Sequence, residues 1–263
     1  MKIYIYKSSF LCYNYSDGDF MKMKIMDVNL NYQRYGNIEG KTIVLLHGWG
    51  QNIEMMKPIG DRFTKDFDIV IFDLPGFGHS SEPKEVFSCY DYVELIHKAL
   101  EELKVEKPII IGHSFGGKLG LLYASKYETE KLVCLASPFC KEIQKVTMKA
   151  RLLKTLKKVP LLNKLEDFAK RHMGSTDYRN ASGVMRNILV GHVNLDIKED
   201  IKKIKCPTLL IWGTNDEAVS IERAYELEKL IKDAGLVVYE GCTHYAYLER
   251  LGQTISVLKS FLG

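Results

Sequence analysis

Two spacings of apolar residues alternate along this chain. Short runs dense in Ile, Val and Leu ("KTIVLLHG", "FDIVIFDL", "KPIIIGH", "KLVCLAS", "CPTLLIWG" and "LVVYEG") are apolar at consecutive positions, as strands covered on both faces require. Between them, "YDYVELIHKALEEL", "GGKLGLLYASKY" and "SIERAYELEKLIKDAG" repeat their apolar residues at helical spacing, and a last helix begins near Tyr245. Before the first run, "KMKIMDVNLNYQRYG" alternates on both sides of Asp27 and reads as a hairpin. Strand–helix alternation of this kind predicts an α/β protein with a mostly parallel, doubly wound sheet.

The pattern changes after Pro138. From 139 to 205 no buried-strand run occurs, and lysine-rich amphipathic stretches such as "VTMKARLLKTLKKV" and "LLNKLEDFAKRH" predict helices. We read one domain over 1–263: a core of 22–138 and 206–263, a helical cap inserted at 139–205, and an N-terminal extension over 1–21. The extension alternates without a continuous apolar core or a small-residue cleavage site, so it does not read as a signal peptide.

Composition narrows the functional classes. With 46% hydrophobic and 27% charged residues the chain has the balance of a folded globular protein. A net charge of +4, without basic blocks interleaved with aromatics, argues against nucleic acid as a partner. No apolar run is long enough to predict a membrane span. Cysteines at 12, 89, 134, 140, 206 and 242 form no C-x-x-C pair, and several sit in apolar runs. That usage predicts buried, reduced thiols in a cytoplasmic protein, with no disulfide framework and no metal site.

In open α/β sheets ligands gather at the carboxyl ends of the strands. Here "TIVLL" is followed by His47-Gly48-Trp49-Gly50, "PIII" by Gly112-His113-Ser114-Phe115-Gly116, "TLLIW" by Gly213-Thr214-Asn215-Asp216, and "LVVYE" by Gly241-Cys242-Thr243-His244. One end offers backbone donors, one a hydroxyl, one a carboxylate and one an imidazole. By itself "GHSFG" is equally a glycine-rich strand-to-helix connection.

With the residues in the order Ser, Asp, His, the chain resembles the α/β-hydrolase family from about Met23 to Gly263, including "DLPGFGHS" after the fourth strand and "VNLDIKEDIKKIKCPTLLIWG" on the return from the cap. The resemblance implies an eight-stranded sheet, Ser114 as nucleophile on a strained elbow, His244 as general base, and Asp216 orienting the imidazole, its neighbour Glu217 fitting the family spacing less well. It implies the backbone N–H groups of Trp49 and Phe115 as oxyanion donors, with Trp49, His113 and Phe115 bordering the substrate. Serine at the elbow argues against epoxide opening and halide displacement, which use aspartate there, and "HGWG" departs from the longer iminopeptidase turn. The expected substrate is a small molecule with an apolar acyl group, hydrolysed at an ester or related bond without a cofactor. A lyase or perhydrolase on the same triad and a ligand-binding receptor are the alternatives. Trp49, Phe115, Phe139 and Met185 are expected to shape an apolar pocket, His47 and His79 to brace turns, Cys242 to pack, and His192 to be solvated or partly buried in the cap.

Overall fold

The computed structural model describes residues 20–141 and 181–263. Eight strands form one sheet: β1 (Met21–Ile25), β2 (Val28–Gly36), β3 (Thr42–Leu46), β4 (Asp68–Phe72), β5 (Ile109–His113), β6 (Lys131–Leu135), β7 (Thr208–Gly213) and β8 (Ala234–Tyr239). Their order is β1-β2-β4-β3-β5-β6-β7-β8. The hairpin strands pair antiparallel, β2 pairs antiparallel with β4, and every other neighbouring pair is parallel.

The consecutive apolarity of the central strands follows from burial on both faces. In β3, Ile43 and Leu45 enter one core while Val44 and Leu46 enter the other, and Ile69/Ile71 against Val70/Phe72 divide β4 the same way. One face is covered by α1 (Lys57–Gly60) and the C-terminal helices α7 (Ala246–Glu249) and α8 (Leu251–Leu262). The other carries α2 (Cys89–Glu102), α3 (Phe115–Lys126) and α6 (Ile221–Leu230). Ser88 opens α2 with a reciprocal capping box to Asp91.

Two boundaries differ from the periodicity. The helical pattern through Gly235 stops at Leu230, because the sheet claims Ala234 and Gly235 as partners of Thr208 and Leu209. The last helix is broken at Arg250, whose backbone leaves the helical region between α7 and α8. Of the stretch between β6 and β7, the described part holds α4 (Gly183–Asn194) and α5 (Lys198–Ile201). Its two ends meet where Ile197 N–H donates to Phe139 O. The helices expected from "VTMKARLLKTLKKV" and "LLNKLEDFAKRH", and nearly all of the N-terminal extension, lie outside the described residues.

The loops leaving neighbouring strands are tied to one another. Gly116 N–H donates to His47 O, Ser114 N–H to Leu135 O, Ala136 N–H to Ile211 O, and Asn215 N–H to Cys242 O. These bonds gather the residues after β3, β5, β6, β7 and β8 at one end of the sheet.

Candidate active site

Ser114 joins β5 to α3 with φ 50° and ψ −112°, a conformation that L-residues avoid. Such a residue costs on the order of 1–3 kcal/mol and persists only where its surroundings hold it. Here the surroundings are close-packed backbone: a Cβ on Gly112 would lie 2.4 Å from Gly116 O, and one on Gly116 would lie 2.3 Å from Leu46 O. Ser114 is also the N-cap of α3, a position where serine usually bonds its own helix. Its hydroxyl makes no capping bond. The side chain is left to the cavity it borders.

His244 Nδ1–H donates to Asp216 Oδ2 at 2.8 Å, while Asp216 Oδ1 accepts from the N–H groups of Ala218 and Val219, each at 2.8 Å. The carboxylate side chain is fully sealed from solvent and every bond to it is a donor bond. With Nδ1 occupied, Nε2 is the ring nitrogen left for chemistry. The loops carrying the two residues cross at Gly213, where a Cβ would lie 2.2 Å from Cys242 O. Glu249 braces the base loop from below by accepting from Thr243 N–H at 3.0 Å and from its hydroxyl. Ser114 and His244 border the same cavity without a direct hydrogen bond between them.

The loop after β3 supplies backbone donors. Gly48 N–H donates to Gln51 Oε1 at 2.9 Å, and His47 donates through Nδ1 to Gly48 O while Nε2 accepts from Leu74 N–H. His47 is thus a buried brace, its pKa pushed down to about 4 by desolvation. The following N–H of Trp49, like that of Phe115 at the start of α3, has no acceptor among the described residues. Asp73, buried after β4, gathers the "DLPGFGHS" loop by accepting from Ile53 N–H, His79 N–H and the Asn31 amide, so His79 is fixed through its backbone.

His113 is buried between Gln51 Oε1, 3.2 Å from Nδ1, and His244 O, 3.1 Å from Nε2. Burial, reinforced by the neighbouring His244, pushes its pKa down to about 3. It stays neutral beside His244 and braces the backbone of the base loop. Cys242 is buried as a packing residue.

The cavity measures about 1430 Å³. Its apolar wall includes Trp49, Leu189, Val193 and Val219, and its polar border includes Gln51, Asn194 and Glu217. Three expectations about this wall need correcting. Phe139 and Met185 are buried in the core, Phe139 under the cations of Lys198 and Arg223, and neither borders the cavity. The Phe115 ring is wholly buried and reaches the wall only by supporting Trp49 and His192. His192 is not solvated: it is 6% exposed, lies parallel to Trp49 with centroids 6.2 Å apart, and has its pKa pushed down to about 3 by burial and by Lys118.

Lys118 and Gln51 also border the cavity and were not singled out from the pattern. The signal for Lys118 was its spacing, one helical turn after Ser114 on the same face of α3. Among the described residues no group of three His, Cys, Asp or Glu is placed to hold a metal, and no helix is long and apolar enough to cross a membrane.

A family model described as alpha/beta hydrolase fold matches residues 41–151. Lipase 1 of Psychrobacter immobilis is 29% identical over 256 residues, covering 88% of this chain and 79% of that protein. The pimeloyl-[acyl-carrier protein] methyl ester esterase of Aliivibrio fischeri is 24% identical over 260 residues, covering 90% and 98%. Among solved structures, a membrane phospholipase A superposes with a TM-score of 0.75 at 22% identity, over 93% of this chain and 86% of that one.

Proposed function

We propose that this chain, which has the α/β-hydrolase fold, is a serine hydrolase cleaving small-molecule carboxylic esters through an acyl-enzyme on Ser114. One observation carries the reading: an uncapped serine hydroxyl on a positive-φ elbow shares a cavity with a histidine whose other nitrogen is held by a buried carboxylate.

In this mechanism Ser114 Oγ attacks the ester carbonyl and gives its proton to His244 Nε2. Asp216 holds the tautomer and stabilises the imidazolium without taking the proton. The N–H groups of Trp49 and Phe115 receive the oxyanion. His244 then protonates the departing alcohol, and water repeats the sequence on the acyl-enzyme. His113, with its ring nitrogens held against Gln51 Oε1 and His244 O and its pKa pushed down to about 3 by burial, is a poor competing base. Trp49, Leu189 and Val193 suit an apolar acyl group, and the names of the lipase and methyl ester esterase relatives support the ester class. The cap insertion read over 139–205 reaches this site through its described residues Leu189, Val193 and Asn194. The five cysteines among the described residues are buried and free, which supports a cytoplasmic setting.

A fluorophosphonate probe tests the nucleophile. We expect one equivalent of label on Ser114 by peptide mass mapping, and a burst of p-nitrophenol before steady turnover of p-nitrophenyl acetate. Absence of label together with absence of turnover, with ligand binding retained, assigns the fold to a receptor. Labelling without ester turnover points to a lyase or perhydrolase.

The elbow gives a second test. Gly116→Ala places a Cβ against Leu46 O and His47 O, which forces the start of α3 away from the donor loop. Displacing a catalytic group by about 1 Å costs roughly 10²-fold in rate. We expect kcat to fall by about that factor with a smaller change in KM. Unchanged kcat in a folded variant places the oxyanion donors elsewhere.

A further inference from the structure

Lys118 is a buried cation whose hydrogen bonds go to backbone carbonyls, with Asp196 acting on it only through its field. Its Nζ donates to His192 O and to Leu195 O, both at 2.8 Å. These carbonyls belong to the last turn and C-cap of α4, where helices leave acceptors unpaired and where the backbone dipole favours a positive charge. Lys118 stands one turn after Ser114, so the nucleophile helix grips the end of a helix more than 70 residues away in the chain.

The rest of α4 is held by other means. Ser182 caps its first turn and bonds Glu82, and Met185 and Ile188 enter the core. Its final turns expose Val190 and Val193 to solvent. There the grip on the core is the Lys118 ammonium, the packed side chain of Leu195 and the ring of His192, which lies against Trp49, edge-on to Phe115 at 4.6 Å and beside the Cys89 thiol. The same turns carry Leu189 and Val193 into the cavity wall.

We propose that Lys118 is a specificity-determining positioning residue: by clamping the C-terminal end of α4 to the nucleophile helix, it sets the wall against which the acyl group of the substrate packs. The inference deepens the esterase reading and rests on it for the identity of the substrate. Its mechanical part does not. The charge is used inward, as a helix cap. Trp49, whose N–H is the proposed oxyanion donor, sits under the clamped ring, so acyl wall and donor loop are held in one register with Ser114.

The test compares wild type, Lys118→Met, Lys118→Arg and His192→Ala on p-nitrophenyl acetate, butyrate and octanoate, with acrylamide quenching of tryptophan fluorescence. The chain has two tryptophans, and Trp212 is fully buried with its indole N–H bonded to Val219 O, so quenching reports on Trp49. We expect Lys118→Met to flatten the ratio of kcat/KM across the three esters by roughly tenfold or more and to increase quenching. Arginine keeps a cation able to reach both carbonyls and should restore both readouts. His192→Ala leaves the clamp but removes the ring it positions, so it should flatten the profile too, and it decides the matter if Lys118→Met does not fold. An unchanged ester profile and unchanged quenching in Lys118→Met overturn the proposal, as does an unchanged profile in His192→Ala. If wild type cleaves none of the esters, the esterase reading fails, while the quenching comparison still decides whether the clamp exists.

Discussion

Replacing Ser114 by alanine is expected to lower kcat for p-nitrophenyl ester hydrolysis by on the order of 10⁶-fold, and adding His244→Ala to that variant should lower it no further. In a hydroxyl–imidazole–carboxylate relay the members act as one unit, so losing the nucleophile or the base alone removes nearly all that the relay contributes. Asp216→Asn should cost less, about 10⁴-fold, because with its oxygen held by the Ala218 and Val219 N–H groups the amide turns its NH2, a donor, toward the Nδ1–H that holds the tautomer. Its Oδ1 bonds to Ala218 and Val219 can survive in the amide, which separates the tautomer effect from loop collapse. Binding contacts and the oxyanion donors remain in all three variants, so KM should change little and a residual rate above the uncatalysed reaction should persist. Steady-state kinetics on fluorophosphonate-titrated preparations measure this. Effects of Ser114→Ala and His244→Ala that multiply in the double variant would falsify a shared relay.

Below neutral pH the fold itself should weaken steeply. His47, His113 and His192 are buried and neutral, with pKa values pushed down to about 4, 3 and 3, in each case first by desolvation. An exposed histidine in the unfolded chain titrates near its ordinary 6.5. The unfolded chain therefore binds more protons than the native one between about 6.5 and 4. Stability is full above about 6.5 and is lost as pH falls toward the native values, at about 1.4 kcal/mol per pH unit for each histidine. Three together give a slope of about 4 kcal/mol per unit, against a total stability of roughly 5–15 kcal/mol for a typical domain. We expect a melting temperature that is flat from pH 8 to 7, a cooperative acid transition between about pH 6 and 4, and uptake of close to three protons on unfolding. Circular dichroism melts across this range measure it. A melting temperature unchanged from pH 7 to 4.5 would show that these rings are hydrated or already charged in the native protein.

Much of the architecture is local and could be read before any coordinates. The runs "TIVLL", "DIVIF" and "IIIGH" are apolar at every position because each alternate residue meets a different core, as Ile43 and Val44 do. Parallel strands place their carboxyl ends together, so Ser114, Asp216, His244 and the Trp49 turn are neighbours as a consequence of topology. Their candidacy came from order along the chain, and their roles await the experiments above. The periodicity failed at 234–235, where pairing with β7 overrode a continued helix, and at Arg250, where the last helix breaks.

Side-chain direction in the segment returning to β7 was not legible. "GVMRNILVGHVN" announces a helix, but its apolar residues surround much of the cylinder, so the pattern does not say whether His192, Met185 or Leu189 faces core, cavity or water. That choice depends on contacts separated by 74 to 143 residues: Lys118 with the end of α4, the Trp49 ring with His192, and Gly76, where an added Cβ would strike Met185. Periodicity within a dozen residues determines element type and, through strand order, which loops meet. The burial of a particular ring or charge is decided by whichever distant surface closes over it. For this protein the sequence alone determined the sheet, the hairpin and the meeting of four strand ends, while the tertiary structure decided which side chains form the cavity wall and that a lysine one turn beyond the serine holds that wall in place.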